Sequence, residues 1–300
     1  MDSLIYEFKN AWNRPNNALP QIIIINVVVY LFLVILNLFG NVDAFYDINY
    51  FIQSQFAIPS QFSEFIFRPW TILTYAFSHD LYSIRHILWN MLSLYWFGRL
   101  VVEYLGSQKL INIYVLGAIF GAVVYLLVYN LIPSLAEHQS RMIGASGATY
   151  AVTIAAATLL PDYRFHLIFI GPVKIKYIAL FVLASSLIGL NGANIGGNVA
   201  HLGGALMGYV YIKQLQGGTD WGIWIMNTMN FVKSFFSKQA PMKVTNKKKK
   251  TKQPTSNNSS MATNLANQGE IDKILDKISQ SGYESLTKEE KQQLFNASKN

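Results

Sequence analysis

The chain has 300 residues, 52% of them apolar and only 13% charged, with a formal charge of +8 at pH 7. It contains no cysteine, which excludes disulfide and thiolate chemistry. So apolar a composition does not describe a soluble enzyme domain, and the basic excess comes without an aromatic platform or motif for nucleic acid, so no nucleic acid is expected among its partners.

The first twenty residues are polar, with Asp2, Glu7, Lys9 and Arg14. They form an N-terminal segment, 1–20, that lacks the basic-then-apolar order of a cleavable signal peptide. Six apolar windows follow, roughly 21–40, 84–105, 109–132, 144–160, 173–190 and 198–215. A helix needs about twenty apolar residues to cross a bilayer. The sequence therefore predicts an all-α polytopic membrane protein, a bundle of six transmembrane helices over residues 21–215. The connection 41–83 is too rich in Phe, Tyr and Ile for a solvated loop, and is expected to lie in the membrane against the bundle.

Beyond the bundle, residues 216–238 carry Trp221, Trp224, Phe231, Phe235 and Phe236 and read as an interfacial amphipathic segment. Residues 239–268 form a basic, polar, disordered linker containing Lys247 to Lys250 and Lys252. Residues 269–300 predict a small cytoplasmic helical hairpin. Ile271, Ile274, Leu275 and Ile278 have helical spacing, Gly282 suits a stop, and Thr287 with Glu290 suits a capping box. The chain shows no longer internal repeat.

Basic residues favour the cytoplasmic side of short loops. With the N-terminus inside, Lys9, Arg14, Arg99, Lys109, Arg164, Lys174, Lys176, Lys213 and Lys233 fall inside, and only Arg68, Arg85 and Arg141 fall outside. Both termini are then cytoplasmic, and the second, fourth and sixth helices run from outside to inside.

Strongly polar side chains within membrane helices are costly and mark functional sites. The second helix places His86 and Asn90 four residues apart, on one face. The fourth opens with GASG around Ser146, and the sixth carries His201 near its start. Since these helices share a direction, all four side chains lie at one depth. Gly144, Ala148, Ala151 and Ala155 form a small-residue stripe, as do His201, Gly204, Ala205 and Gly208. Such stripes let helix backbones approach closely, and would bring Ser146 to His201. Tyr150, one turn below Ser146, is positioned to stack on the imidazole. A serine needs a base to become a nucleophile, and His201 is the candidate. No carboxylate lies nearby, so a dyad is expected, with the Ser146 N–H, Asn90 and His86 as oxyanion donors. No HExxH is present, so neither a metal nor another cofactor is expected. His79, His138 and His166 read as surface loop residues, with His79 placed to brace the first loop.

These residues resemble the rhomboid family of intramembrane serine proteases over about residues 20–215: GASG, AHLGGALMG, HILWN, and Pro69-Trp70 ahead of them. The resemblance implies a rhomboid-like six-helix fold with a membrane-embedded first loop. It puts the nucleophile on Ser146, the base on His201, the oxyanion donors on His86 and Asn90, and the stacking tyrosine on Tyr150. Gly144, Gly147, Gly204 and Gly208 support them. It implies single-span membrane-protein substrates cleaved near the outer face, with the fifth helix and the cap Gly192 to Asn198 as their gate. The family's Trp-Arg pair in the first loop is replaced by Phe67-Arg68-Pro69-Trp70. A tail of this kind occurs in some bacterial rhomboids, and a bacterial inner (cell) membrane is expected. Two rival readings are a rhomboid-like protein that binds and routes membrane helices without cleaving them, and a small transporter or proton channel with His86 and His201 as relay. The absence of an inverted repeat argues against the channel. The residues imply no particular oligomeric state.

Overall fold

The computed structural model describes residues 18–40, 42–167, 170–192, 194–236, 272–278 and 285–297. It divides into two units, Met1–Lys238 and Gln239–Asn300.

In the first unit, α1 (Ala18–Phe39) buries one side only. Leu19, Ile22, Asn26 and Leu33 face the bundle, at helical spacing. Val28, Leu31, Phe32, Ile35 and Leu38 are exposed on the other side. So large an apolar face is not tolerated in water and matches a lipid surrounding. The buried Asn26 donates from Nδ2 to Ile22 O at 2.9 Å and to Tyr114 Oη at 3.2 Å. Tyr114 in turn donates to Ala76 O at 2.8 Å, tying α1 to the first connection.

That connection is folded throughout its described length. It contains α2 (Asp43–Ser54), β1 (Ile58–Pro59), α3 (Phe62–Phe65), α4 (Thr71–Thr74) and a 3-10 turn over Tyr75–Phe77. Its surface shows Phe45, Tyr46, Tyr50, Phe51, Phe67 and Trp70, while Ile58, Tyr75 and Ala76 are buried.

Helix α5 (Ile84–Leu105) fills the second predicted window. It passes into α6 (Ser107–Leu131) through Gly106 alone, whose φ of +83° lies where a Cβ would be strained. A short α7 (Pro133–Ala136) and β2 (Arg141–Met142) lead to α8 (Ser146–Leu159). A hairpin of β3 (Arg164–Leu167) and β4 (Gly171–Lys174) leads to α9 (Ile175–Gly189), followed by α10 (Ile195–Gln216) and α11 (Ile223–Phe236). By length and composition, α1 and α6 are long and apolar enough to cross a membrane, and α8 and α9 are shorter apolar helices.

The chain is mostly helical, as expected, with two short ladders added among the described residues. β1 pairs antiparallel with β2, Ile58 opposite Met142, and β3 with β4, Arg164 opposite Lys174. The physical reason is that non-helical backbone held in or beside a bundle needs hydrogen-bond partners, and ladders of two and four residues supply them.

The centre is where α6, α8 and α10 cross. Ala118, Ala122, Ala148, Ala151 and Ala155 are wholly buried there. Helix α10 begins earlier than its predicted window. The Asn194 side chain accepts the Gly197 N–H at 3.1 Å, capping the first turn. Gly196 fits closely on Tyr125, where a Cβ would stand 2.7 Å from the ring. Asp220, before α11, receives hydrogen bonds from Lys109, from Tyr211 Oη at 2.8 Å and from the Gly222 N–H at 2.8 Å. Trp221, Trp224 and Phe231 are exposed in this region.

In the second unit, residues 272–278 form α12 and Lys288–Ala297 form α13. Thr287 and Glu290 make the reciprocal capping box: the Glu290 N–H reaches Thr287 Oγ1 at 3.3 Å, and the Thr287 N–H reaches Glu290 Oε2 at 2.8 Å. Lys277 on α12 pairs with Glu290 at 2.8 Å. Ile274 and Leu286 are buried. Ile271, Gly282, residues 1–17 and the 239–268 linker lie outside the described residues.

Candidate functional site

Helix α8 starts at Ser146, and the residues ahead of it shape the site. Gly144 has φ of +128°, and its N–H donates to Tyr75 O at 3.0 Å. A Cβ at 144 would stand 2.9 Å from His86 Nε2 and 3.5 Å from Ser146 Oγ. The glycine therefore leaves open the space that the imidazole and the hydroxyl flank. Gly144 precedes the helix, so the expected small-residue stripe begins at Gly147 and Ala148 instead.

The close approach of α8 and α10 follows from two glycines. A Cβ on Gly204 would lie 2.0 Å from Gly147 O, and one on Gly208 would lie 2.1 Å from Ala151 O. On the other side of α8, a Cβ on Gly117 of α6 would lie 2.3 Å from the Ala151 Cβ. Any larger residue would separate these backbones.

His201 sits in the second turn of α10. Its ring stacks on Tyr150 of α8, with centroids 4.2 Å apart and planes 12° apart. Its Nδ1 lies 3.1 Å from Ser186 Oγ on α9. Ser146, His86 and His201 line one cavity of about 430 Å³, together with Asp80, Arg141 and the α10 cap residues Asn194, Gly196 and Gly197. Ser146 and His201 share this space without a direct hydrogen bond among those of the described residues. Such bonds are often long before substrate binds.

A second cavity, also about 430 Å³, meets the first at Ser146 and His86. Trp89, Asn90, Phe97, Thr149, Tyr150 and Val182 line it. Its walls come from α5, α8 and α9.

The two donor candidates on α5 are held firmly. His86 Nδ1 accepts the Asp80 N–H at 3.2 Å. In the neutral ring the proton then resides on Nε2, the nitrogen beside Gly144 and Ser146, which can donate. Asn90 is buried and donates one amide hydrogen to His86 O at 2.8 Å. The Thr149 hydroxyl proton lies between Asn90 Oδ1 at 3.2 Å and Ser146 O at 3.0 Å. This fixes the amide and leaves one N–H free for a ligand.

Sequence reasoning missed three residues here. Ser186 and Thr149 are hydroxyls in apolar runs, with no local signal of which face they occupy. Tyr75 is wholly buried under the site and donates to Ala118 O at 2.8 Å. The surface reading of His79 is corrected. It is fully buried and meets the His86 ring edge-on at 5.2 Å, because the first connection folds inward. His138 and His166 are exposed.

A bundle of apolar helices closed around a serine, two histidines and an asparagine defines a membrane protein with an internal polar site. The family described as Rhomboid domain matches residues 67–216, and the chain belongs to the rhomboid family. A second match, to a family of unknown function (DUF6576), covers residues 262–300. The chain is 31% identical over 160 residues to RHOMBOID-like protein 12, mitochondrial, of Arabidopsis thaliana, covering 49% of this chain and 47% of that one. It is 28% identical over 146 residues to Presenilin-associated rhomboid-like protein A, mitochondrial, of Danio rerio, covering 46% and 35%. It is 30% identical over 145 residues to Rhomboid protein 1, mitochondrial, of Saccharomyces cerevisiae, covering 47% and 40%. The chain thus spans less than half the length of these relatives. Their names also correct one expectation. The relatives are mitochondrial proteins, which overturns the bacterial cell membrane, with termini in a bacterial cytoplasm, inferred from the sequence.

Proposed function

We propose that this protein is an intramembrane serine endopeptidase in which α1, α5, α6, α8, α9 and α10 cross the bilayer and which cleaves the transmembrane segments of single-span proteins. The observation that carries the reading is the shared cavity of Ser146 and His201, with the imidazole held flat against Tyr150. Family membership supports the reaction class.

In this reading His201 takes the Ser146 proton as the hydroxyl oxygen attacks a substrate carbonyl. The oxyanion forms at the start of α8, where the first N–H groups of a helix have no intrahelical partner. His86 Nε2–H and the free Asn90 N–H supply further donors, already oriented by Asp80 and Thr149. The protonated His201 then delivers its proton to the leaving amine, and water repeats the sequence on the acyl-enzyme. The two cavities suit this division of labour. One has charged walls, Asp80 and Arg141, and suits water. The other, between α5 and α9, sets Trp89, Phe97, Tyr150 and Val182 beside Arg85, Ser93, Thr149 and Thr153, and suits an unwound segment whose side chains are apolar and whose peptide groups need hydrogen-bond partners. The exposed aromatic side chains of the first connection support its lying within the lipid.

The test is cleavage of a single-span substrate in liposomes by the full chain and by Ser146→Ala. The wild type should release two fragments, and the variant none while melting at the same temperature. Substrate binding without cleavage by the wild type would favour the helix-routing rival.

A further inference from the structure

Helix α9 is mostly lipid-facing. Ile175, Ala179 and Ser186 are its buried residues, while Leu180, Phe181, Leu187 and Ile188 are exposed. Two adjacent serines on it behave differently. Ser185 is exposed and donates to Phe181 O at 2.8 Å, which is how a serine in an apolar helix satisfies itself locally. Ser186 is 1% exposed and reaches away from its own helix instead. Its Oγ lies 3.1 Å from Tyr150 Oη on α8 and 3.1 Å from His201 Nδ1 on α10.

The proton order in this chain can be worked out. The Tyr150 hydroxyl donates to Val182 O at 3.4 Å, and the Ser186 hydroxyl donates to the Tyr150 oxygen. The Ser186 proton is then committed, and its oxygen has lone pairs left for Nδ1 of His201. A neutral imidazole carries one proton, and an acceptor at Nδ1 places it there. Nε2 is left with a free lone pair. We infer that Ser186 is a positioning residue, holding His201 in the tautomer and ring plane in which Nε2 can act as the base.

This inference rests on the reading of Ser146 and His201 as the catalytic pair. In that step the Oγ–H bond of Ser146 breaks, its proton goes to Nε2, and the oxygen forms a bond to the substrate carbonyl carbon. The ring then carries a proton on each nitrogen and a positive charge. The Nδ1–H bond to Ser186 strengthens as that charge appears, so Ser186 favours the transition state over the ground state. It fills the orienting place that a carboxylate holds in a triad, but as a neutral acceptor.

The experiment compares wild type, Ser186→Ala, Ser186→Thr and Ser186→Val in liposomes, reading kcat, KM and melting temperature. Thr and Val have the same shape and differ in the hydroxyl, so they separate hydrogen bonding from packing. Ser186→Thr should retain most of the wild-type kcat. Ser186→Ala and Ser186→Val should lose about ten-fold in kcat at unchanged KM, the worth of one such bond. The acid limb of their kcat profile should move to lower pH, because the imidazolium has lost an acceptor. Wild-type kcat in Ser186→Val, or a change confined to KM or to melting temperature, would overturn the positioning role. A wild type that cleaves nothing would instead remove the endopeptidase reading itself, so the two failures are distinct.

Discussion

Replacing Gly204 by alanine tests how far the site depends on helix contact. The added Cβ would stand 2.0 Å from Gly147 O and 2.8 Å from its carbonyl carbon. Ordinary contact begins near 3.4 Å, so the crossing of α8 and α10 must open by roughly 1.4 Å there. Both obstructing atoms are backbone, and no side chain can rotate out of the way. Overpacking of this kind costs about 1–3 kcal/mol. The displacement falls on the groups that matter, since Gly147 follows Ser146 and Gly204 is one turn from His201. Misplacing reacting groups by about 1 Å lowers turnover by about 100-fold. Cleavage in liposomes and thermal melting in detergent should both be measured, with Gly217→Ala as control. Gly217 has φ of −79°, and the nearest atom to its added Cβ is a carbonyl of its own turn at 3.3 Å. Gly204→Ala should melt lower and lose turnover, and the control should do neither. Wild-type turnover and melting in Gly204→Ala would refute the claim that backbone contact builds the site.

Thr149→Val should lower kcat about ten-fold with KM unchanged, because the Asn90 amide loses the hydroxyl that orients it; steady-state kinetics in liposomes check this. Outside the helices, hydrogen bonds from Lys174 and then Lys176 hold the Asp162 carboxyl down to about 2, against an ordinary 3.8. A depressed carboxyl stabilises the β3–β4 hairpin above the ordinary value and loses that contribution as the pH falls toward the folded one. The protection factors of the amides in residues 164–174, measured against intrinsic exchange at each pH, should therefore fall below about pH 4 in the wild type and change less in Asp162→Asn.

Much of the fold was legible because membrane helices are written as long apolar runs. Helix α5 occupies 84–105, the same range as its window. Where expectation and structure part, the cause is packing between segments distant in sequence. The apolar window opens at 198, yet α10 starts at Ile195, because Asn194 caps the turn and Tyr125 packs on Gly196. His79 looked like a loop residue because the inward fold of the first connection has no local signature. The polar residues of the site drew attention because imidazole and amide groups are conspicuous in apolar helices. Ser186 did not, since a serine there most often bonds to its own helix, as Ser185 does. Which of two neighbouring serines faces a histidine is decided by the rotation of α9, which composition does not encode.

The most direct measurement of the central claim is covalent capture of the nucleophile. The full chain in detergent is treated with a fluorophosphonate, and the modified peptide is identified by mass spectrometry. A single adduct on Ser146 is expected, lost in His201→Ala while the fold persists. Undiminished labelling of Ser146 without His201, or none in the wild type, would contradict it.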